Sequence, residues 1–249
     1  MTGIGREFME KTKYQHLAPS HQDLGLPQPP LQVAVPADAV FIELPPIEQI
    51  KVKEMDLRTA MAARRSRRKY ARTGLTLAEL AYLLWSTQGV QQVTDRPSTL
   101  RPVPSAGARH ALETYLLINR VEGLEPGLYR YVALGHKLLA VDLGAQLAWE
   151  IARAAGDQPF LAESAVTFLW AVNIYRMTWR YGERGYRYIL LDAGHVCQNL
   201  YLASTAIDCG VCAVAAFDDD ELNKLLGLDG EQHFVVYLAA VGKTAAQWG

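Results

Sequence analysis

Between Arg58 and Arg72 the chain carries seven basic residues and no acidic one: Arg58, Arg64, Arg65, Arg67, Arg68, Lys69 and Arg72. Such a run stands out because the whole chain balances 25 Lys and Arg against 26 Asp and Glu, for a formal charge of −1. Three readings compete for it: a solvated charged face, a nucleic-acid patch, or a pocket for a phosphate ester. A nucleic-acid surface calls for a wider basic area with interleaved aromatics, and the near-zero net charge supplies no long-range attraction to a polyanion. Ser66, set among the arginines, speaks for the phosphate, because a hydroxyl and forked guanidinium donors at a helix end surround a dianion with charge-assisted hydrogen bonds. On spacing alone the solvated face and the phosphate pocket both stay open.

A second constellation is His195, Cys197, Cys209 and Cys212. The Cys209-Gly210-Val211-Cys212 spacing suits zinc, but residues two apart on a helix point to nearly opposite sides, so His195 and Cys197 do not share one metal. Buried structural thiols are the simpler reading, and no metal site is assigned. His195 reads either as a core histidine or as a polar wall of a site. The chain has no nucleophile-elbow serine, no paired-carboxylate motif and no dinucleotide-binding glycine fingerprint, so its chemistry does not announce itself as nucleophilic.

The elements that must carry these residues follow from periodicity. Asp56 opens a helical pattern through Ala60, Met61 and Ala63 that runs into the basic stretch. Thr76 with Glu79 three residues on predicts a capping box, Leu75 can staple onto Leu80, and Gly89 is the expected stop. Thr114 to Val121 is rich in β-formers, and Leu128 to Val132 and Lys137 to Val141 flank a hairpin turn at 134–136. Gln146 to Ala155 predicts a helix, Ala165 to Val172 a buried strand, Gly185 to Asp208 a long helix, and Val211 to Phe217 another strand. Asp218 and Glu221 repeat the capping-box spacing before Leu222 to Leu226, and Phe234 to Val241 closes the series. Helices mingled with strands, without steady alternation, predict an α+β fold.

Seven of the twelve prolines lie in the first 46 residues, so residues 1–50 read as an extended arm, and residues 51–249 as one large domain. Leu26, Leu31, Val33, Val35, Phe41, Ile42 and Leu44 would sit badly in bare solvent, and the arm is expected to lie across a surface, that of a partner subunit included. Three cysteines, an odd number, and no recognisable secretory leader point to a reducing, cytoplasmic setting. The apolar stretch Ile189 to Ile207 includes Asp192, His195, Gln198 and Asn199, which argues for a buried helix over a membrane span.

Several spaced motifs occur in a recognisable order: Arg64-Arg65-Ser66-Arg67-Arg68-Lys69-Tyr70, Leu75 to Leu80, Leu83-Leu84-Trp85, Pro104-Ser105-Ala106-Gly107-Ala108-Arg109, Gly127 to Tyr131, Tyr181-Gly182-Glu183-Arg184-Gly185-Tyr186-Arg187-Tyr188, and Ala193-Gly194-His195. From about Asp56 to Lys243, three quarters of the chain, this order resembles nitroreductase-family flavoproteins, and within them the SagB-type dehydrogenases.

The resemblance implies a nitroreductase-like fold, a central, mainly antiparallel sheet flanked by helices, in an intertwined homodimer that holds FMN at the subunit interface. Arg64, Ser66 and Arg68 match positions that grip the FMN phosphate and ribityl chain; Pro104, Ser105, Ala106 and Gly107 match a loop that reaches the flavin from the other subunit. The face of Ile189, Ala193, Val196, Leu200, Ala203 and Ile207 would then serve the subunit interface as well as the core. Ala215 and Ala216 match a segment whose amides approach the reactive edge of the isoalloxazine, although many relatives carry Glu-Gly there. Lys243 matches a late basic position at the phosphate. In SagB-type enzymes a Lys-Tyr pair assists proton removal; here Arg180-Tyr181 stands in its place, and an arginine is a poor general base, which leaves Tyr181 as the catalytic candidate.

The activity so implied is an FMN-dependent oxidoreductase moving hydride between NADPH or NADH and a small nitro compound, quinone or enone-like acceptor. The alternatives are an azoline dehydrogenase of ribosomal-peptide modification, a flavin-cleaving enzyme, and a non-catalytic flavin binder.

Overall fold

The computed structural model describes residues 3–144 and 146–244; residues 1, 2, 145 and 245–249, the extreme ends of the predicted segments among them, lie outside the described residues. Among the described residues nine strands form: β1 (Phe41–Glu43), β2 (Gln92–Val93), β3 (Thr99–Leu100), β4 (Leu112–Ile118), β5 (Gly127–Val132), β6 (Lys137–Asp142), β7 (Val166–Asn173), β8 (Cys209–Val214) and β9 (His233–Lys243). The α-helices are α1 (Ile4–Lys11), α2 (Leu57–Ala63), α3 (Leu77–Gln88), α4 (Leu147–Ala154), α5 (Phe160–Glu163), α6 (Ile174–Tyr181), α7 (Gly185–Ala206) and α8 (Asp219–Leu225).

Seven strands make one sheet in the order β1-β6-β5-β4-β7-β9-β8, antiparallel at every pairing, and β2-β3 form a separate ribbon. In the central strands the two-residue period sends alternate side chains to two different cores. Leu112, Leu116 and Ile118 of β4 and Val166, Phe168, Trp170 and Val172 of β7 join α3 and α7 on one face. Tyr115, Leu117, Leu169 and Ala171 join Leu147, Ile151, Phe160, Leu161 and Leu222 of α4, α5 and α8 on the other. The α+β reading and the antiparallel sheet flanked by helices therefore hold. Each fully buried Leu, Ile or Phe in these layers contributes about 1.5–3 kcal/mol by leaving water.

Local signals place the helix ends. The Asp56 carboxylate accepts from Thr59 N at 3.0 Å, and Thr76 and Glu79 close the predicted capping box. Leu75 and Leu80 are both fully buried in one cluster. Gly89 ends α3 without a left-handed backbone; its need for glycine is spatial, since a Cβ there would lie 2.5 Å from Trp85 Cδ1. The predicted strand 211–217 is displaced to 209–214, so Ala215 and Ala216 follow the strand and are exposed.

Two expectations need correction. The α7 row Ile189, Ala193, Val196, Leu200, Ala203 and Ile207 is buried inside its own chain, at 7% exposure or less. The row left outward is Leu190, Leu191, Gly194 and Gln198, with Leu190 and Leu191 57% and 59% exposed. The second concerns the arm: it lies across a surface as expected, but that surface is its own chain's, and it carries α1 and β1 where an extended course was expected. β1 pairs with β6 at the sheet edge, Gln22 N donates to Trp179 O at 2.8 Å, Trp179 Nε1 donates to Leu26 O at 3.0 Å, and Arg184 donates to Thr12 O at 2.9 Å. Proline removes donors, but carbonyls such as those of Leu26 and Ala34 remain and recruit Trp179 and Arg130.

A buried ion pair ties the arm to the sheet: Arg176 donates to Glu113 Oε1 at 2.5 Å, and the same oxygen accepts Val33 N at 2.9 Å. Both side chains are under 10% exposed. Arg176→Met would leave the Glu113 carboxylate buried without its charge partner, a loss on the order of 3–5 kcal/mol that urea unfolding will read as a lower midpoint.

Candidate functional site

The basic run leaves α2 and turns along the open edge of β8. Ser66 bridges Val211 in parallel, and Arg67 N donates to Val211 O at 2.8 Å, so this short segment covers an otherwise unpaired strand edge. The arginines divide by role. Arg65 donates to the carbonyls of Ala62 and Arg64 at 2.9 and 2.8 Å and so closes the end of α2. Arg64 lies over the Tyr201 ring at 5.4 Å and Arg68 over the Phe160 ring at 5.9 Å, and neither has a carboxylate partner among the described residues. Ser66 Oγ hydrogen-bonds Tyr201 Oη at 3.0 Å, and that oxygen accepts Ala213 N at 3.0 Å. Arg64, Ser66 and Arg68 thus follow one another along the short edge segment at the corner of α7 and β8, and Tyr201 fixes Ser66 there. Ala215 and Ala216 lie just past the end of β8, where Ala216 O accepts Gln158 Nε2 at 3.3 Å.

Lys243 is placed differently. It ends β9 opposite Cys209, and its ammonium pairs with Glu79 and donates to Ile207 O at 2.9 Å. The structure therefore directs this cation to the first turn of α3 and not into the Arg64–Ser66–Arg68 corner.

The loop 104–107 is held from the other side of α7. Ser105 Oγ donates to Asp192 Oδ2 at 2.6 Å, Ala106 N donates to Asp192 Oδ1 at 3.2 Å, and His110 N donates back to Ser105 Oγ at 2.9 Å. Burial raises the Asp192 carboxyl above its ordinary range, opposed by those two donors. Gly107, Ala108 and His110 all have positive φ, at 58°, 53° and 43°, so the loop stores backbone strain. Burial, with Arg101 close by, pushes the His110 imidazole down to about 3 and keeps it neutral. Tyr181 closes on this loop from the end of α6: its hydroxyl lies against Gly107 and its ring meets Tyr188 edge-on at 4.8 Å.

Asp192 and Tyr201 are nine residues apart on α7. At 100° and 1.5 Å per residue they face opposite sides and stand about 13.5 Å apart along the axis. Asn199, seven residues from Asp192, should share its side, and its amide does donate to Ser86 O at 2.9 Å and Pro102 O at 3.4 Å, next to the loop. One chain therefore carries the 104–107 loop and the basic segment on opposite sides of its own helix. Sequence reasoning passed over Asp192 and Trp179 as site residues; the lone formal charge in the apolar run 189–207 was the available signal for the first. His195 is exposed on α7, which removes the core-histidine reading. The three cysteines are buried and free, and no group of three metal-ligating side chains occurs among the described residues. No helix among them is long and apolar enough to cross a membrane.

A Cβ at Gly107 would collide with the Tyr181 hydroxyl and lie 3.0 Å from Arg180 Cδ and Nε. Gly107→Ala, at φ 58°, is expected to cost about 1–3 kcal/mol in thermal or urea unfolding and to release Tyr181, seen as altered tyrosine signals in near-ultraviolet circular dichroism.

A sequence model of the nitroreductase family matches residues 61–243. A candidate nitroreductase of Methanocaldococcus jannaschii is 36% identical over 206 residues, covering 83% of this chain and 98% of that protein. The trifolitoxin-processing protein TfxB of Rhizobium leguminosarum is 27% identical over 158 residues, 60% of this chain but 41% of TfxB. A solved structure from Ralstonia eutropha, also a candidate nitroreductase, shares the fold with a TM-score of 0.68 at 22% identity, covering 89% of this chain and all of the other. On the matched span and the M. jannaschii relative together, the chain belongs to the nitroreductase family.

Proposed function

We propose that the chain is an FMN-dependent oxidoreductase that moves hydride between NADPH or NADH and a small nitro, quinone or enone-like acceptor, and that it works as a homodimer in the cytoplasm. The carrying observation is the pair of half-sites on opposite sides of α7, which one flavin can use together only if a second copy brings its 104–107 loop to the first copy's Arg64–Ser66–Arg68 corner. The outward α7 row with Leu190 and Leu191, and the exposed Leu57 and Met61 of the adjacent α2, supply an apolar surface for that second copy. Residues 51–249 form the flavin domain in this reading, and residues 1–50 a strap on it.

The residues present fit the phosphate of FMN: Arg64 and Arg68 are cations with no carboxylate to neutralise them, and Ser66 offers a hydroxyl already oriented by Tyr201. Lys243 joins them only by leaving Glu79, so the phosphate assignment rests on the other three. Pro104 to Gly107 hold the loop against the ring from the partner, and Ala215 and Ala216 present backbone at its reactive edge. FMN, when bound, supplies the two-electron chemistry. The protein's part is to fix the ring between loop and strand end, to exclude water there, and to place the Tyr181 hydroxyl beside Gly107 for proton movement.

A second reading, azoline dehydrogenation of a ribosomal peptide, draws on the similarity to TfxB and on the seating of Tyr181 at the loop. An anaerobic visible spectrum with NADPH and NADH titrations separates the two. Bleaching of a yellow protein by either donor supports the reductase; yellow protein that neither donor bleaches favours the dehydrogenase or a non-catalytic binder; colourless protein that cannot be reconstituted with FMN overturns the flavin reading.

Arg64→Ala is expected to weaken FMN binding at least tenfold, the loss of one charge-assisted contact of about 1.5–3 kcal/mol, measured by flavin fluorescence on titration. Leu191→Glu, on the outward row, is expected to yield a monomer by light scattering and to shed FMN; a dimer that keeps stoichiometric flavin would remove the interface assignment.

A further inference from the structure

A second group of cations stands on the loop side of α7. Arg109 is only 8% exposed; its Nε donates to Gly107 O at 3.1 Å and its guanidinium lies 5.5 Å over the Trp179 ring. Arg180 brings Cδ and Nε to the same glycine from the end of α6, with its guanidinium 5.6 Å over Tyr181. Arg96 is exposed on the 94–98 loop, which Gln28 of the arm fastens through Pro97 O. Burial, followed by the nearby charges of Arg180 and Arg96, holds the Arg109 guanidinium below its ordinary value. No carboxylate pairs with Arg96, Arg109 or Arg180 among the described residues.

Like charges gathered at one strained loop repel one another, and a fold keeps them together at a cost unless something negative joins them. The arm braces the arrangement, since its Leu26 carbonyl and Gln22 amide fix Trp179, the plate on which Arg109 rests. Two planar guanidinium groups held at one loop offer the forked donors that suit a carboxylate or phosphate. Their position beside Gly107 and Tyr181 puts them where the substrate of the proposed site would lie.

We propose that Arg109 and Arg180, with Arg96 at the rim, form a receptor for an oxyanion group on the small molecule that meets the flavin, so that the site selects anionic substrates over neutral ones of equal shape. This rests on the oxidoreductase reading for its purpose, although the receptor itself is a feature of the chain alone. The oxyanion has two sources, a carboxylate on the organic acceptor or the 2′-phosphate of NADPH. Arg180 is here a specificity residue and takes no proton.

The test uses the full-length protein, 4-nitrobenzoate and nitrobenzene as a pair matched in ring and nitro group, and NADPH and NADH as a second pair. Calorimetric titration is expected to show at least tenfold tighter binding of the anionic member of one pair, weakened by added salt. Arg180→Gln should reduce that preference at least tenfold and Arg180→Lys should restore part of it, with circular dichroism confirming the fold of each. A preference confined to the first pair assigns the receptor to a carboxylated acceptor, and one confined to the second assigns it to the dinucleotide. Absence of preference in both pairs, or a preference that survives Arg180→Gln and Arg96→Gln, overturns the proposal. Because binding is read without turnover, colourless protein that cannot be reconstituted with FMN and still discriminates keeps the receptor and removes the redox reading. Yellow, donor-bleached protein without discrimination does the reverse.

Discussion

Asp192, 5% exposed in the middle of α7, has a buried carboxylate that two donors from one loop satisfy. A buried carboxylate without donors would be strongly destabilising, so the 105–106 turn is obliged to stay where its hydroxyl and amide can reach α7. That obligation carries strain with it. Gly107, Ala108 and His110 adopt left-handed backbone because the chain must leave the Asp192 contact and enter β4 within a few residues. Tyr181, Arg109 and Arg180 then take their positions from the resulting loop.

Nine residues further along the same helix, Tyr201 performs the matching task for the basic corner. Its hydroxyl joins Ser66 to the end of β8, so the positions of Ser66 and Ala213 are set by one oxygen. α7 is thus the common ruler for the 104–107 loop and the basic segment, and its twist puts them back to back. The same helix closes the larger core with its inner row and leaves Leu190 and Leu191 outward. A helix about 33 Å long can serve core, loop and corner together because each task uses a different angular sector.

The amino-terminal strap adds what the domain lacks. β1 completes the sheet beyond β6, Val33 shares the Glu113 carboxylate with Arg176, and carbonyls of the strap hold Trp179 and Arg130. Its prolines limit it to isolated contacts, and several of those contacts lie under or beside the cation group at Gly107.

The sequence alone determined what short-range physics can write. The Thr76–Glu79 capping box, the helix start at Asp56 and the long helix from Gly185 were all legible, because each depends on neighbours a few residues apart. The α+β class followed from them, and the ordered motifs carried the family. Tertiary structure decided the rest. Burial of the row Ile189 to Ile207 within one chain, the seating of the arm on that chain, the diversion of Lys243 to Glu79, and the meeting of Arg109, Arg180 and Tyr181 at Gly107 join residues tens of positions apart or more. Nothing local encodes such partners: an apolar row looks the same whether its own sheet or a second subunit covers it, and a lysine gives no sign of which carboxylate it will find.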